Sequence, residues 1–94
     1  MLGLHFAARL RYRVQPVYPE GARQQGIEGT VRLRAVIGID GTVTKLDVIS
    51  GHPLLVQVAL EAVRQWTYQP MLFDGKPVEV DTVIDVIFQL RRRN

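Results

Sequence analysis

Three acidic side chains near the C-terminus are the residues whose types and spacing could serve acid–base chemistry. Glu79, Asp81 and Asp85 follow one another at intervals of two and four residues, and a strand would place all three on one face because its alternate side chains point the same way. Paired carboxylates can act as general acid and base. No His or Lys partner accompanies them, however, and strand alternation alone produces such a row on a solvent-facing surface. We therefore favour a solvated strand face and predict no catalytic residue.

Other patterns typical of metal or cofactor sites are missing from the sequence. His5 and His52 are the two histidines, and neither has a Cys, Asp or Glu at the spacing that metals require. His52 stands before Pro53, which is typical of a polar residue that begins a helix. Cysteine is absent, and the glycines lie at turns and strand ends rather than in a phosphate-binding loop. The sequence thus predicts neither a metal nor a cofactor.

The positive charge is concentrated at the two ends of the chain. Twelve basic and nine acidic residues among 94 give a formal net charge of +3. The excess lies in Arg9, Arg11 and Arg13 and in the arginines at 91–93, whereas the middle is balanced. Terminal arginine runs are more typical of solvated ends than of a nucleic-acid surface, so we expect no nucleic-acid partner. The length and the 47% hydrophobic content indicate one small globular domain.

A long alternating segment carries the acidic row. Between residues 77 and 90, apolar side chains occupy every second position, which predicts a half-buried antiparallel strand. Asp74-Gly75 predicts a tight turn leading into it. Fourteen residues is more than twice the usual strand length of about 5–6 residues, so we expect part of this strand to lack a partner.

Two further strands are predicted upstream. Residues 29–39 and 42–50 both alternate, and Asp40-Gly41 between them is a strong signal for a two-residue hairpin turn. The pairs that such a turn would set are Ile37 with Thr44, Ala35 with Leu46, Leu33 with Val48 and, on the opposite face, Arg34 with Asp47.

The remaining elements are helices. Residues 53 to about 66 show an amphipathic period with Trp66 as its predicted buried anchor, and a short helix fits residues 19–25 after the proline-containing segment 15–19. Together these elements predict a two-layer α+β fold. Its three-stranded antiparallel sheet, in the order second-first-third, would be covered by one amphipathic helix, with a short N-terminal helix beside it.

A set of segments carries a family resemblance because it occurs in a fixed order. The set comprises Gln15-Pro16-Val17-Tyr18-Pro19, Gly-Ile-Glu-Gly-Thr-Val at 26–31, Asp-Gly-Thr-Val at 40–43, Val-Arg-Gln-Trp-Thr-Tyr-Gln-Pro at 63–70 and the closing alternating strand. Each segment alone is a weak signal, whereas the ordered set is specific. Over roughly residues 13–90 the chain resembles the C-terminal domain of the TonB family of periplasmic energy transducers.

The resemblance implies a role in force transmission across the cell envelope. Family members carry an N-terminal membrane helix that engages a proton-driven motor in the inner membrane, and a Pro-rich spacer. This chain would be the periplasmic, receptor-contacting end of such an inner-membrane-anchored protein. It would capture an extended segment of an outer-membrane transporter by strand addition and transmit force to it. The implied partner-binding residues are Gln15, Pro16, Tyr18 and Pro19, together with Val83, Asp85, Ile87 and Gln89 on the last strand.

The resembling region also divides the chain into three predicted parts. Residues 1–14 are expected to form an N-terminal arm, disordered or extended, residues 15–90 the TonB-like domain, and residues 91–94 a basic tail. Similar domains also end other envelope proteins such as sensor-like membrane peptidases, so an interaction domain of such a protein is one alternative. An enzyme subunit that uses the acidic strand face is another. A weak homodimer through the edge of the last strand is a further expectation.

Overall fold

The computed structural model describes residues 9–90, and within this range the chain forms nine short helices and strands. In chain order they are β1 (Leu10–Tyr12), α1 (Glu20–Gln24), β2 (Gly29–Ile37), β3 (Val43–Ser50), α2 (Pro53–Val63), β4 (Thr67–Tyr68), β5 (Met71–Phe73), β6 (Lys76–Val78) and β7 (Val80–Phe88).

Antiparallel pairing joins three strands into the main sheet, in the order β3-β2-β7. Alternate residues of β2 and β7 are buried on one face, and α2 packs its apolar side against that face. The buried core comprises chiefly Val31, Leu33, Ala35 and Ile37 from β2, Leu55, Ala59 and Val63 from α2, and Ile84, Val86 and Phe88 from β7. The predicted α+β class with a three-stranded antiparallel sheet is therefore confirmed.

The turn between β2 and β3 holds three residues, 39–41, rather than the two predicted, because Gly38 pairs with Thr42. Gly41 N–H donates to the Gly38 carbonyl oxygen (2.9 Å), and Gly38 N–H donates to the Thr42 carbonyl oxygen (2.8 Å). The Asp40 carboxylate accepts hydrogen bonds from the backbone N–H of Thr42 (3.1 Å) and from its hydroxyl group (2.7 Å). These bonds hold Asp40 outside the positive-φ region, so Gly41 alone takes a positive φ, 87°. A two-residue turn of the predicted type needs positive φ at both positions.

The longer loop changes the strand pairing beside it. Ile37 pairs with Val43, so the predicted pairing with Thr44 is wrong. An irregularity between Val36 and Ile37 absorbs the extra residue. Three predicted pairs beyond it are confirmed: Ala35 with Leu46, Leu33 with Val48 and Arg34 with Asp47.

The long alternating segment folds as two strands, which corrects the prediction of one strand over residues 77–90. β6 pairs with β5 across the predicted Asp74-Gly75 turn, in which both residues have positive φ. This second hairpin takes the first residues of the segment out of the main sheet. β7 and β2 each have nine residues and pair along their whole length. No end of β7 overhangs its partner, so the backbone groups that stay unpaired within residues 9–90 lie along its outer side.

Trp66 anchors the chain after α2. The helix ends at Val63 rather than near Trp66, but the predicted burial of Trp66 is confirmed, since only 5% of this residue is exposed. Its indole Nε1–H donates to the Val14 carbonyl oxygen (2.8 Å), and the Arg13 guanidinium lies 5.4 Å from the ring centroid. The indole therefore fixes the chain just before the proline-containing segment to the core.

Part of the predicted N-terminal arm is a strand. β1 pairs antiparallel with β4, and the Arg9 carbonyl oxygen accepts a hydrogen bond from Gln69 N–H (2.8 Å). The predicted disordered or extended arm is thus extended at residues 10–12. Arm residues 1–8, which include His5, and the predicted basic tail at 91–94 lie outside the described residues.

Replacement of Gly41 by Ala is expected to destabilise the fold far more than the same change at Gly75. A Cβ at Gly41 would lie 1.9 Å from the Tyr68 carbonyl oxygen, and it would disrupt the 2.8 Å bond from Tyr68 N–H to the Gly41 carbonyl. Gly75 has a similar φ of 77° but no atom within 4 Å of its would-be Cβ. We expect Gly75→Ala to cost about 1 kcal/mol from strain alone, and Gly41→Ala about 3 kcal/mol or more.

Urea titration of both variants measures the difference directly. Equal losses of unfolding free energy at the two sites would contradict the close packing of the β2–β3 loop on β4.

Candidate functional site

The outer edge of β7 is the largest regular run of unpaired backbone in the main sheet. All nine residues of β7 pair with β2 without an irregularity in register, and within residues 9–90 no strand pairs with its other side. In an antiparallel strand, alternate residues turn their N–H and C=O groups away from the existing partner. The outer edge therefore presents a row of hydrogen-bonding groups on which another extended chain can pair.

The side chains along this edge divide as the alternation predicts. Ile84, Val86 and Phe88 are buried, whereas the predicted partner-binding residues Val83, Asp85 and Ile87 are exposed on the opposite face and Gln89 is exposed just beyond the strand. Val83 is 53% exposed and Ile87 63% exposed. Large apolar side chains on a free strand edge favour cross-strand contacts with an added strand.

Two arginines of β2 form salt bridges with carboxylates of β7 on the outer face of the sheet, which is the face turned away from α2. Arg32 Nε and Nη2 contact Asp85 Oδ1 and Oδ2 at 2.8 and 3.1 Å, and Arg34 Nε and Nη2 contact Asp81 Oδ1 and Oδ2 at 3.1 and 2.8 Å. Both pairs are bidentate, the geometry in which Arg binds carboxylates most specifically. Two members of the acidic row, Asp81 and Asp85, thus have arginine partners on the neighbouring strand.

These salt bridges argue against acid–base chemistry by Asp81 and Asp85, and they show that Arg34 is hydrogen-bonded to Asp81 rather than to Asp47. Hydrogen bonds from Arg34 and Arg32 hold the pKa of the Asp81 and Asp85 carboxyls below the ordinary value of 3.8. A general acid at neutral pH needs a raised pKa instead. Asp47 lies opposite Arg34 as predicted, yet it supplies only a nearby charge that helps to raise the pKa of Arg34, while Asp81 makes the hydrogen bonds.

The proline-containing segment lies against the C-terminal end of β7. The Tyr18 ring meets the Phe88 ring edge-on, with ring centroids 5.5 Å apart and planes at 85°, and the Tyr18 hydroxyl donates a hydrogen bond to the Ile27 carbonyl oxygen. Burial, and secondarily the charge of Glu28, raises the pKa of Tyr18. The structure therefore brings together the two regions from which the predicted partner-binding residues come.

Within this segment, the predicted residues differ in what they can contact. Gln15 is exposed, whereas Pro16, Tyr18 and Pro19 are half-buried and Tyr18 is held by its contacts inside the chain. Pro19 precedes α1 and accepts the first helical hydrogen bond from Arg23 N–H at 2.9 Å. Val17, which the sequence did not single out, is 78% exposed. The two flanking prolines were the available signal, because an extended segment turns alternate side chains outward.

The described residues form neither a metal-ligand cluster nor a membrane-spanning helix. Within residues 9–90, no group of three or more His, Cys, Asp or Glu side chains is placed to hold a metal ion. His52 begins α2 as predicted: its Nδ1 accepts a hydrogen bond from Leu54 N–H at 3.1 Å. In the same range, no helix has the length and apolar character needed to cross a membrane.

Comparison with known proteins gives consistent matches. The model of the family described as Gram-negative bacterial TonB protein C-terminal matches residues 14–90. The TonB protein of Vibrio cholerae serotype O1 is 41% identical over 80 residues, which are 83% of this chain and 33% of that protein. The TonB protein of Escherichia coli K12 is 31% identical over 80 residues, which are 83% and 31% of the two chains. The chain thus spans about one third of the length of these relatives.

Solved structures match over nearly the whole chain. The solution structure of the Pseudomonas aeruginosa TonB CTD has a TM-score of 0.77 and 26% identity, with 97% of this chain and 95% of that chain covered. The TonB2 protein of Vibrio anguillarum has a TM-score of 0.69 and 33% identity, with 98% and 90% covered. Both similarities extend over the sheet and its helices.

The Arg34–Asp81 contact predicts a measurable coupling between the two side chains. In a double-mutant cycle with Arg34→Gln and Asp81→Asn, we expect the unfolding free energies to be non-additive near neutral pH. Because the pKa of Asp81 is lowered in the folded state, this stabilisation is present above its unfolded-state pKa and is lost as the pH falls through the folded-state value. Urea titrations of the four chains at a series of pH values from neutral to acidic measure this coupling free energy.

The matched control is the cycle of Arg34→Gln with Asp47→Asn, because Asp47 lies opposite Arg34 without a hydrogen bond. Coupling of Arg34 to Asp47 as strong as that to Asp81 would contradict the bidentate assignment.

Proposed function

Because the chain belongs to the family of Gram-negative bacterial TonB protein C-terminal domains, we propose that it is the receptor-binding module of a periplasmic energy transducer. In this proposal it captures an extended segment of an outer-membrane transporter on the outer edge of β7. It then passes to that segment a force that originates at a proton-driven motor in the inner membrane. The module works without catalysis, as a mechanical link on the periplasmic side of its membrane anchor.

The regular, unpaired edge of β7 is the observation that carries this proposal. Strand addition uses backbone hydrogen bonds for affinity and alternate side chains for selectivity. β7 offers both, since its register with β2 has no irregularity and Val83 and Ile87 are exposed along it. An arriving strand would meet a straight row of donors and acceptors.

The other edge of the sheet is less suited to strand addition. The pairing of β3 with β2 has two irregularities, one at each end, and such irregularities twist a strand and blunt its edge. Thr42, immediately before β3, also forms a bridge with Thr67 of β4, so one end of that edge is covered. These features favour β7 over β3 as the receiving strand.

The attachment of β7 to the sheet suits it to carry a load. A pull along β7 is shared among the backbone bonds of nine residue pairs, and the Arg32–Asp85 and Arg34–Asp81 pairs add side-chain contacts at two points. Bonds loaded together in shear resist force better than bonds broken one after another. β7 can therefore hold a captured segment without leaving the sheet.

The proline-containing segment supplies a second contact in this proposal. Tyr18 holds this segment against Phe88 at the end of β7. Gln15 and Val17 are exposed and would contact the part of the receptor that follows the strand added to β7. A second copy of the chain would use the same β7 edge, so a weak homodimer would compete with the receptor segment.

Replacement of Ile87 by Lys tests the proposed edge. Lysine on an edge strand disfavours strand addition, and the loss of an apolar cross-strand contact should weaken binding by about fivefold. The measurement is fluorescence titration of a labelled peptide that carries the N-terminal box of a candidate outer-membrane transporter.

Ile49→Lys is the matched control, because Ile49 is similarly exposed, 52% against 63%, but lies on β3. Circular dichroism checks that both variants fold. Weaker binding by Ile49→Lys with unchanged binding by Ile87→Lys would move the docking edge to β3 and refute the proposal for β7.

A further inference from the structure

A narrow groove lies between the proline-containing segment and the second helix. Its volume is ≈ 120 Å³, and it is lined on one side by residues 14–17 and on the other by Val58, Glu61, Ala62 and Gln65. A space of this size accepts one long side chain rather than a folded element. The same segment continues from the groove to Tyr18, whose ring contacts Phe88 at the C-terminal end of β7.

Among the described residues, the groove carries a negative charge that no ion pair balances. Glu61 is the one charged residue of 9–90 in its lining. Its carboxylate accepts a 3.4 Å hydrogen bond from the Gln57 amide, and within residues 9–90 it forms no salt bridge. Arg64 lines a different cavity beside β3, and Arg13 lies over the Trp66 ring. Within residues 9–90 Glu61 thus has no cationic partner, and the cation of a bound segment would complement it.

The walls of the groove are fixed in advance. Trp66 holds the Val14 carbonyl oxygen, Pro16 restricts the backbone next to it, and the Gln65 side-chain amide donates to the Glu61 carbonyl oxygen at 3.1 Å. Gln15 and Val17 make no backbone hydrogen bond to another described residue. Such a preformed wall with available backbone groups lowers the cost of ordering when an extended peptide binds.

We propose that this groove binds an arginine or lysine side chain of an extended partner segment. The methylene groups of that side chain pack on Pro16, Val58 and Ala62, and its charged head lies at Glu61. The identity of the partner, a segment of the outer-membrane transporter, rests on the proposed function, whereas the chemistry of the groove does not. A basic residue flanking the paired strand would then select among transporters that offer similar strands.

Nuclear magnetic resonance titration with short peptides tests the groove apart from the strand edge. The probes are acetyl-Val-Arg-Val-amide and acetyl-Val-Gln-Val-amide, which are too short to pair along β7. We expect saturable shifts at Gln15, Val17 and Gln65, with the arginine peptide binding about threefold more tightly, as for exposed ion pairs. In Glu61→Gln this preference disappears, because the carboxylate that attracts the cation is gone.

Glu20→Gln is the matched control. Glu20 also lies exposed on a helix and accepts a hydrogen bond from a glutamine four residues away, at 3.3 Å, but it is not part of the groove. The arginine preference should survive in Glu20→Gln. Equal affinity for the two peptides in the wild-type chain, or an arginine preference that survives Glu61→Gln, would overturn the proposal.

The transporter-box peptide separates this inference from the proposed function. If that peptide binds β7 while the tripeptides show no arginine preference, the groove proposal alone is wrong. If the arginine preference depends on Glu61 while the box peptide fails to bind β7, the groove proposal is supported and the strand-addition proposal is wrong.

Discussion

The pairing of β7 with β2 is the interaction on which the rest of the structure depends. β2 is bonded on both sides, to β3 and to β7, and its buried side chains form the centre of the core. β7 follows it without irregularity for nine residues, and arginines of β2 bind two carboxylates of β7 on the outer face. Since β2 takes up one side of β7, the other side is the open edge of the sheet within residues 9–90.

Two aromatic residues attach the proline-containing segment to the rest of the domain. Trp66 holds the backbone at Val14, and Tyr18 packs against Phe88. Pro16 between these anchors and Pro19 just after them keep the segment extended. As a result, the segment lies beside the C-terminal end of the open edge on one side and lines the groove beside α2 on the other.

Periodicity made the main elements predictable, because strand alternation and the amphipathic helix reflect burial over many residues. The conformations of the turns and the ends of the strands could not be predicted from the sequence. The two Asp-Gly pairs look alike, yet Asp74 takes positive φ while Asp40 keeps its carboxylate on Thr42 and gives a longer loop. The alternation continues through Glu79, so nothing in the pattern marked where β6 leaves off and β7 begins.

The candidate site was predictable in outline but not in its contacts. The exposed face of the last strand followed from alternation. The partner of Arg34 did not, since a strand residue can reach both opposite and diagonal neighbours, and the structure selects Asp81 over Asp47. The contact of Tyr18 with Phe88 was not predictable from alternation either, because it joins residues from opposite ends of the chain. Such choices depend on side-chain packing in three dimensions, which spacing along the chain does not encode.

Amide hydrogen exchange in the presence of a transporter-box peptide tests the central claim most directly. If the peptide adds as a strand to β7, alternate amides between Val80 and Phe88 should exchange more slowly, because only residues that face outward gain a hydrogen bond. The amides of β3 should be unchanged. Slower exchange along β3, or unchanged exchange along β7 at saturating peptide, would contradict the assignment of the outer edge of β7 as the receiving strand.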